Sequence, residues 1–157
     1  MASLQSSPRI TPFLWFDANA EEAVDYYVSI FPGSRKLSEF RREIDDPSGL
    51  KGTILTVGFE LCGLSFTALN GGPHHKFTDA ISFVVHCKDQ EEIDHYWAKL
   101  TEGGVEVACG WLRDKFGLSW QIVPENLVIL LNKPAAMQAL MQMVKLDIAA
   151  LERASAE

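Results

Sequence analysis

"FLWFDANAEEAVDYYVSIFPG", residues 13–33, returns 70 positions later as "FVVHCKDQEEIDHYWAKLTEG", residues 83–103. Phe13, Glu21, Glu22, Tyr26 and Gly33 fall on Phe83, Glu91, Glu92, Tyr96 and Gly103. Each copy runs from an apolar strand through a polar cap into an amphipathic helix that a glycine stops. Ala20, Val24, Tyr27 and Phe31 form one apolar stripe at helical spacing; Ile93, Trp97 and Leu100 form the other. Asn19 and Asp89 stand where an N-cap is needed, and Glu22 and Glu92, three residues on, can reach back to the cap. Gly33 and the Gly103-Gly104 pair suit the left-handed stop after a helix.

A second match has a different offset. "GLSFTALN" (63–70) lies over "GLSWQIVP" (117–124) at a shift of 54, so the second copy is 16 residues shorter between its helix and its last strand. Both segments open on a turn glycine and continue as apolar, aromatic strands. Module one (9–72) therefore reads as strand 9–16, helix 20–31 and strands near 35–43, 53–61 and 64–69, with a polar loop over 41–52. Module two (78–124) reads as strand 80–87, helix 90–102 and short strands near 105–108, 110–114 and 118–123. Beyond Pro124, "PENLVILL" opens a short helix or a strand. After Pro134, Met137, Leu140, Met141, Val144, Ile148 and Leu151 recur at helical spacing in a terminal helix to about 154. The expectation is a single α+β domain over 1–157, with two βαβββ modules and a C-terminal helical tail over 125–154.

The bulk numbers narrow the function classes. Of 157 residues 47% are hydrophobic and 22% charged, the balance of a soluble globular chain. A net charge of −7 with scattered Lys and Arg argues against nucleic acid or an anionic membrane as partner. No run approaches the ~20 apolar residues that span a bilayer. The start, "MASLQSSPRI", has no apolar run of signal-peptide length, and three dispersed cysteines form no CxxC pair, so a reducing cytoplasm is expected.

Five stretches carry a resemblance: "ITPFLWFDANAEEAVDYYVSIFPGS", "LTVGFELCGLSFTALNGGP", "AISFVVHCKDQEEIDHYW", "CGWLRDKFGLSWQIVP" and "MQMVKLDIAALERA". With the tandem modules they resemble the vicinal oxygen chelate superfamily (glyoxalase, bleomycin resistance, dioxygenase) and, within it, the demethylubiquinone methyltransferase-like subfamily. The resemblance implies strands curled into a cupped mixed sheet around a cavity, and a homodimer. In many members a divalent metal sits there, held by His or Glu from the first and last strand of each module. Those positions fall here on Pro12, Thr67, Ser82 and Gln121, which supply no charge or soft donor. No metal and no cofactor are therefore expected. The junctions "FDANAEE" and "CKDQEE" also lack the glycines with which methyltransferases cradle adenosylmethionine.

Alternation along a strand puts Ser119, Gln121 and Val123 on one face and Leu118, Trp120 and Ile122 on the other, with Trp120 in the core. By the same parity Pro12, Leu14 and Phe16, and Ser82, Val84 and His86, face the cavity. The candidate ligand-binding residues are Thr67, Asn70, Ser82, His86, Trp111, Arg113 and Gln121. His86 is a general base only if a partner carboxylate orients it; otherwise it is a hydrogen-bonded strand-end histidine. Cys109 is a nucleophile only if its pKa is lowered; a buried apolar thiol is the plainer reading of it, Cys62 and Cys87. Trp111 and Arg113 share a face and could clamp a planar anion, or form a surface pair with Arg113 bridging Asp114 or another acid. Asp114 to Gly117 reads as a hairpin turn, and the paired glutamates of both helices as partners of the helix dipoles.

Two functions follow. The first is a metal-independent small-molecule-binding protein. The second is an enzyme (a lyase, an isomerase or the methyltransferase of the subfamily's label) whose chemistry would rest on His86, Cys109, Arg113 or Gln121.

Overall fold

A computed structural model of the chain describes residues 8–157. The chain divides into two compact units, the first ending at Lys76 and the second starting at Phe77. Each carries one βαβββ module.

In the first unit, β1 (Phe13–Phe16) leads into α1 (Ala20–Ile30), followed by β2 (Arg35–Arg41), β3 (Ile54–Leu61) and β4 (Leu64–Asn70). The sheet order is β1-β4-β3-β2, with β1 parallel to β4 and the other pairs antiparallel. One face packs under α1: Ala20, Ala23, Val24, Tyr27 and Ile30 meet a core that includes Val57, Phe59, Phe66 and Ala68. Each large side chain removed from water there contributes roughly 1.5–3 kcal/mol.

The cap of α1 differs from expectation. Asn19 makes no side-chain cap bond. The Ala20 N–H donates instead to Asn70 Oδ1 at 2.8 Å, while Asn70 Nδ2 donates to Glu21 and to the Ile54 carbonyl, both at 3.0 Å. One buried amide thus closes the helix from the far end of the sheet. The residues that follow complete the motif "NGGP". Trp15 Nε1 donates to the Gly72 carbonyl at 2.9 Å, and a Cβ on Gly71 would lie 2.4 Å from the Trp15 ring.

The polar loop after β2 is organised by a residue that the sequence pattern passes over. Arg42 is buried and donates to Asp46 (2.9 Å), Ser48 (2.7 Å), Thr53 (3.1 Å) and the carbonyls of Ile54 (2.9 Å) and Asn70 (2.6 Å). A buried guanidinium is tolerable only when its donors are used in this way.

In the second unit, β5 (Ser82–Cys87), α2 (Gln90–Thr101), β6 (Val105–Glu106), β7 (Trp111–Arg113) and β8 (Ser119–Pro124) repeat the plan in the order β5-β8-β7-β6. Asp89 caps α2 by accepting the Glu92 N–H, and Glu92 reaches back to the Lys88 N–H, one residue before the cap. Ile93, Trp97 and Leu100 bury the helix on Leu112, Trp120 and Ile122. Trp120 is core, as its parity implies. Its indole N–H donates at 2.9 Å to Asp114, a buried carboxylate that also accepts the Phe116 and Leu118 N–H groups and so shapes the turn at Gly117, where φ is +88°.

The tail is three helices. α3 (Leu127–Leu130) is the short helix after Pro124. The single terminal helix expected to about 154 is broken into α4 (Pro134–Met141) and α5 (Ile148–Ala156). The break has a cause. The Met143 and Val144 carbonyls accept the Cys109 and Gly110 N–H groups at 2.8 Å each, Leu146 is fully buried, and Asp147 caps a new helix by accepting the Ala150 N–H. Among the described residues no helix is long and apolar enough to cross a membrane.

Candidate functional site

The face of the second sheet turned away from α2 gathers most of the chain's candidate residues. Across β5, β8 and β7 the register pairs Ser82 with Ser119, Val84 with Gln121 and His86 with Val123, and Trp111 with Gln121 and Arg113 with Ser119. Registered neighbours share a face, so these residues form one patch. Gln121 Nε2 donates to Ser82 Oγ at 2.9 Å. Trp111, Ser82 and Gln121 are half-buried; Val84, His86 and Arg113 are exposed.

Arg113 meets a carboxylate, though Asp79 rather than Asp114. Its Nε donates to Asp79 Oδ1 at 2.8 Å and its Nη2 to Oδ2, and the buried Ser119 hydroxyl donates to the same Oδ1. The Arg113 guanidinium first and the Ser119 hydroxyl second hold the Asp79 carboxyl well below the usual carboxylate range. The fork that could grip an anion is therefore already filled, and Arg113 offers a ligand its plane and its remaining N–H groups. Asp79 belongs to the site although the sequence reading did not name it, and Ser119, read only as a neighbour of Gln121 on one face, is its second partner. The signal was an arginine on a strand face that needs a counter-charge, but spacing alone favours the adjacent Asp114.

His86 has no hydrogen-bonding carboxylate among the described residues, so neither of its two sequence readings gains a partner. Cys109 lies off the patch, half-buried in the turn before β7 with φ at +61°. Cys87 is buried, and burial, helped by the charges of Glu92 and Asp89, pushes its thiol up to about 12. Cys62 is not the buried thiol expected. It is exposed, and with Gly63 it makes the two-residue loop between β3 and β4, with φ of +48° and +86°. Such mirror-image turns suit the twist of a hairpin and need the tip in solvent.

In the first unit Thr67 lies on the corresponding face, but its neighbours differ from the parity reading. Phe13 and Trp15 lie opposite Thr67 and Leu69, while Leu14 and Phe16 lie opposite Ala68 and Asn70 and are buried. The junction from β1 to α1 has three residues, 17–19, whereas that from β5 to α2 has two, 88–89. The extra residue slips β1 by one against the repeat, and a one-residue slip exchanges the faces of a strand. By register the counterpart of Ser82 is thus Thr11, and Pro12 only lends its carbonyl to the Thr67 N–H. Asn70 is on the other face, its amide spent on α1.

The donor chemistry can be tested against the metal and the adenosylmethionine that the resemblance brings to mind. In the second unit Ser82 and Gln121 are a neutral hydroxyl and amide bonded to each other, and in the first unit Thr11 and Thr67 are neutral hydroxyls. Among the described residues no three of His, Cys, Asp and Glu come together. Neither pair fits a transition metal. Adenosylmethionine fits no better. Neither strand–helix junction carries a glycine, and the helix N-termini there are capped by Asn70 and Asp89.

Residues 8–123 match the family described as 3-demethylubiquinone-9 3-methyltransferase. The chain belongs to this family. The solved PhnB protein of Bacillus cereus, described by the same family name, is 36% identical over 74% of this chain and 99% of its own, with a TM-score of 0.66. Protein PA1353 of Pseudomonas aeruginosa shares the fold at 20% identity, over 75% of this chain and 98% of its own, with a TM-score of 0.60. A glyoxylase/bleomycin resistance protein/dioxygenase domain from Frankia is similar at 14% identity, over 76% and 93%, with a TM-score of 0.47. No curated protein matches. The match ends at residue 123, so α3, α4 and α5 lie beyond what the family model describes.

Proposed function

We propose that the chain is a metal-independent small-molecule-binding protein that needs no cofactor, and that its ligand lies on the open face of the second sheet. The observation that carries the reading is the Gln121–Ser82 hydrogen bond, which joins two neutral residues at positions where the resemblance implies metal ligands. An amide and a hydroxyl beside a half-buried indole suit a small, uncharged, partly planar molecule with hydrogen-bonding groups. Trp111 would stack on it, Gln121 and Ser82 would orient it, and Arg113 and Val84 would border it. On module one Thr67 stands at the position that corresponds to Gln121 and offers a small ligand a hydroxyl there. Three free cysteines support a reducing compartment such as the cytoplasm, and the resemblance supports a homodimer.

A second reading, an enzyme acting on a small organic substrate, draws on one observation: His86 is exposed on the same face as Gln121. Thermal-shift screening of small aromatic and heteroaromatic compounds, then turnover assays on each hit, separates the two. Binding that Gln121→Ala and Trp111→Ala each weaken about tenfold or more, with no product formed, supports the binding protein. Turnover lost in His86→Ala with folding unchanged selects the enzyme. A stoichiometric transition metal in purified protein, lost on Gln121→Ala, overturns metal independence.

A further inference from the structure

We infer that the tail segment from Met143 to Ile148 is a positioning clamp for Trp111, and so controls what the open face of the second sheet can receive. The inference rests on the reading of that face as a binding surface. The segment lies outside residues 8–123, the part of the chain that the family model matches.

Trp111 enters β7 from a turn whose two residues, Cys109 and Gly110, both hold left-handed backbone, with φ of +61° and +82°. A left-handed cysteine is strained and persists only where its surroundings hold it. The tail does so. The Cys109 N–H donates to the Met143 carbonyl and the Gly110 N–H to the Val144 carbonyl, both at 2.8 Å. Leu146, fully buried, closes over the turn so tightly that a Cβ on Gly110 would lie 3.1 Å from its Cγ. The Gly110 carbonyl in turn accepts the Ile122 N–H at 2.8 Å, next to Gln121. The same turn is thus tied to the tail on one side and to the site strand on the other.

The tail is itself held by α2. Gln90 Nε2 donates to the Leu146 carbonyl at 3.0 Å, Gln90 Oε1 accepts the Ile148 N–H at 2.9 Å, and Lys145 pairs with Asp94 at 2.6 Å. Gln90 uses both ends of its amide on the tail's backbone, which makes it the residue whose loss releases the clamp while leaving the core side chains in place.

The test uses the full chain with 5-fluorotryptophan at its four tryptophans and Cys62→Ser as background, leaving Cys109 as the accessible thiol. In Gln90→Ala the Trp111 fluorine resonance, assigned with Trp111→Phe, should shift or broaden while those of Trp97 and Trp120 stay. Labelling of Cys109 by a thiol reagent should quicken about tenfold, the effect of losing about one such anchoring interaction. Asp94→Asn should move the same two readouts less. An unchanged Trp111 resonance and labelling rate in Gln90→Ala overturn the clamp, and so does a change spread over all four tryptophans, which would mark general loosening. Neither readout needs a ligand. Failure of the clamp leaves the binding reading standing, and failure of that reading leaves the clamp standing.

Discussion

Gln121 donates its side-chain amide to the hydroxyl of Ser82 at 2.9 Å across two parallel strands. The bond fixes an uncharged polar pair beside Trp111 and Val84 on that face. A half-buried hydrogen bond contributes about 0.5–1.5 kcal/mol. Gln121→Ala should therefore lower stability by no more than that, while weakening the affinity of any ligand from the screen about tenfold or more. Urea unfolding and titration of the same variant measure both. A large stability loss with unchanged affinity would make the pair structural.

Asp114 has the opposite character. It is buried and accepts the Trp120 indole N–H and two backbone N–H groups of its own turn. Asp114→Ala takes the acceptor from three donors, two of them in buried bonds, and should cost about 3 kcal/mol, read as a fall in the urea midpoint. Asp114→Asn keeps one acceptor oxygen and should cost less. Equal midpoints for wild type and Asp114→Ala would remove the turn from the fold's supports.

The repeated strand–helix pattern made the two modules legible because burial on one face writes its period into the sequence. The face of β8 was legible for the same reason, and Gln121 with it. The face of β1 was not, because one residue in the junction 17–19 decides it and no periodicity marks a single insertion. Hydrogen-bond partners distant in sequence were equally hidden. Arg42 looks like a loop cation and is buried, and Asn19 looks like a cap but leaves that role to Asn70. The break between α4 and α5 escaped because the apolar stripe of the tail continues through it, while backbone carbonyls turned to Cys109 and Gly110 end the helix.

The glycine after Asn70 has a steric reason. A methyl group on Gly71 would sit 2.4 Å from the Trp15 ring, whose indole is held by the Gly72 carbonyl. Gly71→Ala should displace Trp15 and destabilise the first unit by about 1–3 kcal/mol, the range for forced overpacking. Hydrogen exchange resolved by peptide should show faster exchange over β1 and β4. Wild-type exchange there would mean that Trp15 moves aside at no cost.

The three thiols should react in three classes. Cys62 is exposed at a hairpin tip and should label first. Cys109 is half-buried in the clamped turn and should label more slowly. Cys87, buried and with its thiol raised to about 12, should label only on unfolding. Mass spectrometry of a labelling time course checks the order. Early modification of Cys87 would contradict its burial.

Asp79 predicts an acid limit. Its carboxyl is held below the ordinary range by Arg113 first and Ser119 second, whereas in the unfolded chain it titrates near the usual value of about 3.9. A carboxyl depressed by folding adds stability that is fully present above its unfolded pKa and is lost as pH falls toward its folded one. Asp79→Asn removes this contribution. The variant should trail wild type by a constant margin from neutral pH down to about 5, and the margin should narrow below about 4, where Asp79 of the unfolded chain takes up a proton that the folded chain still refuses. Because the pair is exposed to solvent, added salt should reduce the margin at neutral pH. Urea midpoints of both proteins across the acid range test this. Curves that stay parallel to the lowest pH would show that Asp79 contributes no proton linkage to folding.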